Sequence, residues 1–438
     1  MTRIFAIAGI AIRGAIRSRM VLSLLVLLAI TVVGLPLTVK GDGTAEGQLR
    51  VTITYSLGAA FALLALTSLW AGALSIAQEI EEKQIQLLAA KPVKRTEIWA
   101  GKWVGLMTIN TALLLAAALA TALLLPRKQL DAQSEPGHDW RAVYRPIMPT
   151  LEDYSKEARA LLNQRRADGE IPKNVDDETA LRVLQQEVLL REATVAPGQQ
   201  RKWTIVPPRT IRADETLRIR FRYSSSAFGI DAAVGRWQVG TPSQPTAWQS
   251  VSTNIPELYQ TLEIPAAVLA DAHEVVITFT NEDPNGVTLV FNPSDGLRLQ
   301  LPAGSFAQNY ARAFLVLLLR LGFLTALGVT AGALFSSPVA LFIAVSLMAM
   351  SQFAGMSAGT APAQRGIQRV INAPAYALRA ALKPLASPPV LDAVATGMLV
   401  EDEWILRVAG VQLLLYGGAL ALLGASVLNR RELALPAI

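Results

Sequence analysis

Three stretches of this chain, residues 103–126, 321–364 and 408–429, contain no charged side chain at all. A helix needs about 20 apolar residues to cross the hydrocarbon core of a bilayer. Uncharged runs of that length are therefore candidate spans rather than surface elements of a water-soluble fold. Composition agrees, with 52% hydrophobic and 17% charged residues, against about 25% charged in an ordinary soluble domain. Most ionisable side chains are concentrated in 126–308. Part of the chain suits lipid and part suits water, which excludes one uniform globular domain as well as disordered and fibrous classes.

Six spans are expected: Met20 to Val39, Ile53 to Ala77, Trp103 to Leu125, Ala311 to Leu334, Val339 to Ser357 and Val408 to Leu428. Phe335-Ser336-Ser337-Pro338 reads as a tight reversal whose serines cap the next helix. Lys and Arg near span ends set orientation. Arg3, Arg13, Arg17, Arg19, Lys83, Lys91, Lys94, Arg95, Lys102, Arg430 and Arg431 fall on one side, while the short loop 40–50 holds only Lys40 and Arg50. The basic side is read as the cytoplasm, with both termini there. Residues 2–19 form an expected interfacial helix, with Ile4, Phe5, Ala8, Ile12, Ala15 and Ile16 on one face and Arg3, Arg13 and Arg17 on the other.

Three regions follow. Residues 1–125 hold the interfacial helix and the first three spans; residues 126–308 form an extracytoplasmic insert; residues 309–438 hold the last three spans with an outer loop at 358–407. The insert carries 20 basic and 23 acidic residues, so it is a solvated domain and not an anion-binding patch. It reads as helical over 150–193 and β-rich over 200–303. Thr216–Tyr223 alternates, with Leu217, Ile219, Phe221 and Tyr223 on one face, and 274–279 and 287–291 are further strands. Pro/Gly turns between short strands predict an α+β insert containing a β-sandwich or jelly-roll-like domain. Asp283, Asn285 and Asp295 are oxygen-bearing residues at such turns, where turn chemistry competes with calcium ligation.

Most enzyme chemistry lacks its residues here. The chain has no cysteine and two histidines, His138 and His273, so thiolate metal sites and thiol nucleophiles are excluded. Gly355-Met356-Ser357-Ala358-Gly359 matches a nucleophile pattern, but in a lipid-phase setting without a histidine base. The span interiors contain no acid, and the Gly-rich nucleotide loop is missing. No cofactor and no metal site is expected. Arg320 is the one charge in the interior of a span and a candidate intramembrane functional charge. It sits about a third of the way in, with snorkelling, a structural pair or a substrate contact as the competing roles.

The informative stretch is 79–105. Glu79 to Lys91 reads as a short amphipathic helix with Ile80, Gln84, Leu87 and Leu88 on one face, and Thr96 opens the third span. A plain loop needs no apolar helical face, whereas a docking element does. The order Glu-(x)3-Lys-x-Ile-x-Leu-Leu, Pro-Val-x-Arg-x-Glu-Ile, Gly-Lys-x-x-Gly resembles the loop between the second and third spans of ABC-2 type permeases, the membrane subunits of ATP-binding-cassette transporters. It also resembles the permeases of gliding-motility and nitrous-oxide-reductase maturation systems, which implies a bacterial inner membrane. The resemblance implies a coupling helix at about 79–92 seated in a cytosolic ATPase. Glu79, Lys83, Leu87, Leu88, Pro92, Arg95, Glu97, Gly101 and Lys102 are its coupling residues. It also implies that catalysis resides in that separate ATPase, that a second permease subunit, identical or similar, completes the pathway, and that transport is outward. The insert at 126–308 departs from minimal members, and its partner could be an extracytoplasmic protein or glycan. The rival reading is a non-transporting scaffold or sensor whose outer domain binds an envelope ligand.

Overall fold

The computed structural model describes residues 2–17, 19–39, 45–82, 93–131, 142–149, 154–171, 175–226, 232–293, 296–356, 377–378 and 389–430. In chain order the helices are α1 (Thr2–Arg17), α2 (Val21–Thr38), α3 (Gly47–Glu81), α4 (Arg95–Asp131), α5 (Ser155–Ala167), α6 (Asp177–Ala193), α7 (Phe306–Leu334), α8 (Ser337–Met356), α9 (Val390–Ala395) and α10 (Asp402–Arg430). The strands are β1 (Ala142–Ile147), β2 (Thr194–Val195), β3 (Gln200–Ile205), β4 (Thr216–Phe221), β5 (Tyr223–Ser225), β6 (Ala233–Gly240), β7 (Trp248–Asn254), β8 (Gln260–Pro265), β9 (Val275–Asn281), β10 (Leu289–Phe291) and β11 (Leu297–Ser305). They divide into two compact units, one of residues 1–142 with 305–438, the other of residues 143–304.

The first unit is helical. Five helices, α2, α3, α4, α7 and α10, are long and apolar enough to cross a membrane. The apolar α8 accompanies them where the sequence predicts a fifth span. Helix α7 is the hub, buried on nearly every residue from Ala313 to Ala333. Small residues let it approach α3 closely. A Cβ on Gly328 would lie 2.7 Å from the Leu69 carbonyl oxygen, and one on Gly72 would lie 2.9 Å from the Val329 nitrogen. In lipid, where water cannot drive helices together, this close approach is what makes dispersion contacts sufficient. Wide π turns interrupt α2 at Ile30–Gly34, α3 at Thr52–Leu57 and α10 at Val408–Gly417. Two of them meet, where the buried Ser56 hydroxyl donates to the Val32 carbonyl at 3.0 Å. Such a bond satisfies backbone that an ordinary α-helix would pair internally.

The second unit is a two-layered antiparallel sandwich. The sheet orders are β1-β11-β4-β8, β2-β10-β5 and β3-β9-β6-β7. Strands β4 and β5 follow each other directly, as do β10 and β11, and β2 lies beside β10 as β1 lies beside β11. Counted that way, one layer runs first, eighth, third, sixth and the other second, seventh, fourth, fifth. This is a jelly roll. The alternation along 216–223 delivers Leu217, Ile219, Phe221 and Tyr223 to its core. There Phe221 meets Trp237 of the opposite layer at 4.3 Å, and Phe291 meets Trp203 at 5.0 Å. Helices α5 and α6 form a hairpin inserted between β1 and β2, closed by Ala158, Leu162, Ala180 and Leu184. Strand β1 precedes this hairpin, where the sequence suggests no strand. Asp283 behaves as a turn residue, since its carboxylate accepts the Val287 N–H at 3.3 Å; Asp295 lies outside the described residues.

Candidate functional site

The stretch 79–105 holds two helix ends and the segment between them. Of the expected coupling residues, Lys83, Leu87, Leu88 and Pro92 lie outside the described residues. Glu79, Arg95, Glu97, Gly101 and Lys102 are described. Glu79 lies on the last turn of α3, continuous with the span. Lys102 lies two turns into α4 and forms an ion pair with Glu79. The lysine side chain is only 6% exposed. The second Glu79 oxygen, Oε2, is buried with no hydrogen-bond partner among the described residues. Two residues expected to face a partner are therefore joined to each other, tying the end of α3 to the start of α4.

Helix α4 begins at Arg95 rather than at a Thr96 cap. The Glu97 carboxylate accepts the Lys94 N–H at 2.8 Å, the reciprocal bond of a capping box. A negative charge in the first turn also suits the helix dipole. Arg3 of α1 approaches the same carboxylate at 3.9 Å. Arg95 has a buried Nη1 without an acceptor among the described residues. Further along, the Trp99 indole N–H donates to Thr330 at 3.1 Å and that of Trp103 to the Gly322 carbonyl at 2.8 Å. Both tryptophans thus anchor α4 on α7.

Gly101 and Gly105 pack directly against α1. A Cβ on Gly101 would lie 2.6 Å from the Ile7 Cβ, and one on Gly105 would lie 2.9 Å from the Ala8 carbonyl oxygen. The two glycines form a groove that seats α1. The seated face is Ile4, Ile7, Ala8 and Ala11. Phe5 and Ile16, expected on the same face, are exposed. The apolar surface of α1 is broad enough to serve α4 on one side and lipid on the other.

Sequence reasoning missed Glu81. Its carboxylate accepts the Ser337 N–H at 3.1 Å and the Ser337 hydroxyl at 3.2 Å. The N-terminus of α8 is thus capped from α3, where the sequence suggested capping by the serines of the turn. No local pattern signals this, because the partners are 256 positions apart.

Arg320 lies midway along α7, is 7% exposed, and does not reach either end of the helix. Its Nε is buried without an acceptor among the described residues. An arginine at the centre of a span costs about 2.5–3.5 kcal/mol even on insertion scales. The neighbouring Arg312 on α7 is by contrast paired with Asp402 at 3.3 Å.

These features define a helical membrane protein with a jelly-roll insert and a buried polar seam at the ends of α3 and α4. Over residues 5–134, covering α1 to α4, the chain matches the family model described as ABC-2 family transporter protein. The match covers under a third of the chain. No curated protein and no solved structure matched the chain.

Proposed function

We propose that this chain is the permease subunit of a bacterial ABC transporter, acting as an exporter with a separate cytosolic ATPase. Two permease subunits, identical or similar, form the pathway. The termini and the 83–92 segment lie in the cytoplasm, and the jelly roll lies outside. Kinship with gliding-motility and nitrous-oxide-reductase maturation permeases is part of the same reading. The observation that carries it is the family match over 5–134, which spans the whole coupling stretch. In this reading the ATPase receives residues 83–92 as a coupling helix. Its displacement is passed to α4 through Glu79–Lys102 and to α8 through Glu81–Ser337. Arg95 and Glu97 sit at the start of α4, beside the same segment.

Affinity purification from membranes tests this. The full chain should bring down a protein with a Gly-rich nucleotide loop. Leu88→Asp and Arg95→Glu should weaken that association at unchanged membrane abundance. A chain that purifies without any such ATPase, and whose variants behave alike, contradicts the reading.

A further inference from the structure

Arg320 supports an inference that rests on the permease reading only where it names the cargo. The residues one turn before and after it, Val316, Leu317, Phe323 and Leu324, are apolar and buried. Across from it, on α3, the Phe61 ring lies 5.8 Å from the guanidinium carbon. Among the described residues no hydrogen bond or ion pair reaches the guanidinium. The helices around it offer no free acid: α2, α7 and α8 contain none, the acids of α3, α4 and α10 lie at helix ends, Glu79, Glu81, Glu97, Asp131, Asp402 and Glu403, and Asp392 of α9 is paired with Arg50 at 3.2 Å. Residues 357–388 also contain no acid. Arg312, on the same helix, is paired with Asp402, so an acidic partner is present for one cation of α7 and missing for the other.

A ring this far from a guanidinium offers a cation–π contact and takes up none of its N–H donors. Those donors form a fork that matches a carboxylate or phosphate in two parallel bonds. A buried cation without a counter-charge is also costly. We propose that Arg320, beside Phe61, binds the phosphate or carboxylate group of an anionic molecule inside the helical bundle. For a permease, that makes the cargo an anion or an anionic amphiphile.

The test uses the full chain in nanodiscs of equal phosphatidylglycerol and phosphatidylcholine. Retained lipid is counted by mass spectrometry after delipidation. Wild type should keep phosphatidylglycerol preferentially. R320Q should lose at least about tenfold of that preference, the equivalent of one charge-assisted bond, and R320K should keep part of it. In phosphatidylcholine nanodiscs, inorganic phosphate should raise the thermal midpoint of wild type and not of R320Q if a free anion is the ligand. Phosphatidylglycerol retention without a phosphate effect identifies a lipid headgroup instead. R320L should match or exceed the wild-type midpoint, because it removes a buried charge. Neither anion effect in wild type, equal effects in R320Q, or a collapse of R320L overturns the proposal. Retained ATPase association in R320Q alongside lost anion binding separates this site from the permease reading. An anion effect in a chain that binds no ATPase upholds the site and rejects that reading.

Discussion

At the residue scale, the buried polar pairs determine what each substitution does. Lys102→Met leaves Glu79 without its partner in a largely buried position, and breaking such a pair costs about 3–5 kcal/mol. The detergent-solubilised protein should show a correspondingly lower unfolding midpoint. Adding Glu79→Leu should restore most of the loss, since the pair and not either residue alone is the stabilising unit; an unrestored double variant would contradict that. In the second unit, Glu215 accepts from Arg209 at 2.9 Å and from Arg212 at 2.9 Å. Burial pushes its carboxyl up, but the two arginines outweigh it and hold the group below its ordinary range. A depressed carboxyl contributes stability above its unfolded value, about 4.3, and loses it as pH falls through the folded value. The jelly roll should therefore lose stability below about pH 4, and Glu215→Gln should flatten that acid limb in a pH series of thermal scans. Residue types were legible in the sequence here, but partners were not. Glu79, Arg95, Glu97 and Lys102 stand out as a charged cluster, yet nothing local shows that Glu79 turns inward to Lys102 while Glu81 turns to Ser337.

At the element scale, periodicity carried most of the information. Apolar runs located the spans because lipid demands length and an absence of charge, two properties visible in one dimension. Alternation located β4 for the same reason. Strand β1 and the short β2 were not legible: a helical hairpin separates them, and their shared place at one edge of a layer depends on β11 and β10. The residues of α1 that dock on α4 were not legible either, since the sequence shows only an apolar interfacial face. A helix with apolar residues on more than half its circumference has no unique buried stripe in sequence, and the glycines of α4 decide which one seats. Gly101→Val should therefore force α1 off α4, since its Cβ has no room beside Ile7. An overpacked contact costs about 1–3 kcal/mol. A protease site placed at Arg13 should become more accessible in this variant; unchanged cleavage would mean that α1 is held elsewhere.

At the scale of the whole molecule, the sequence reading and the structure agree on a helical membrane protein carrying a β-rich insert. The insert enters and leaves through β1 and β11, which are neighbours in one layer. A large domain can thus be added between α4 and α7 through two adjacent strands. Because the chain has no cysteine, orientation is open to labelling. A single cysteine at Ser243 should react with an impermeant maleimide from outside intact spheroplasts, and one at Ser18 only after lysis. Same-side labelling would contradict the proposed topology. The proposed anion site was only partly legible, because Arg320 was visible as a lone charge but its burial beside Phe61 was not. The most direct test of the account is ATP hydrolysis by the purified complex of this chain with its co-purifying partner. The account predicts vanadate-sensitive hydrolysis that falls with Glu81→Ala and Lys102→Met while the complex stays assembled. No hydrolysis in the wild-type preparation, or rates indifferent to both substitutions, would contradict it.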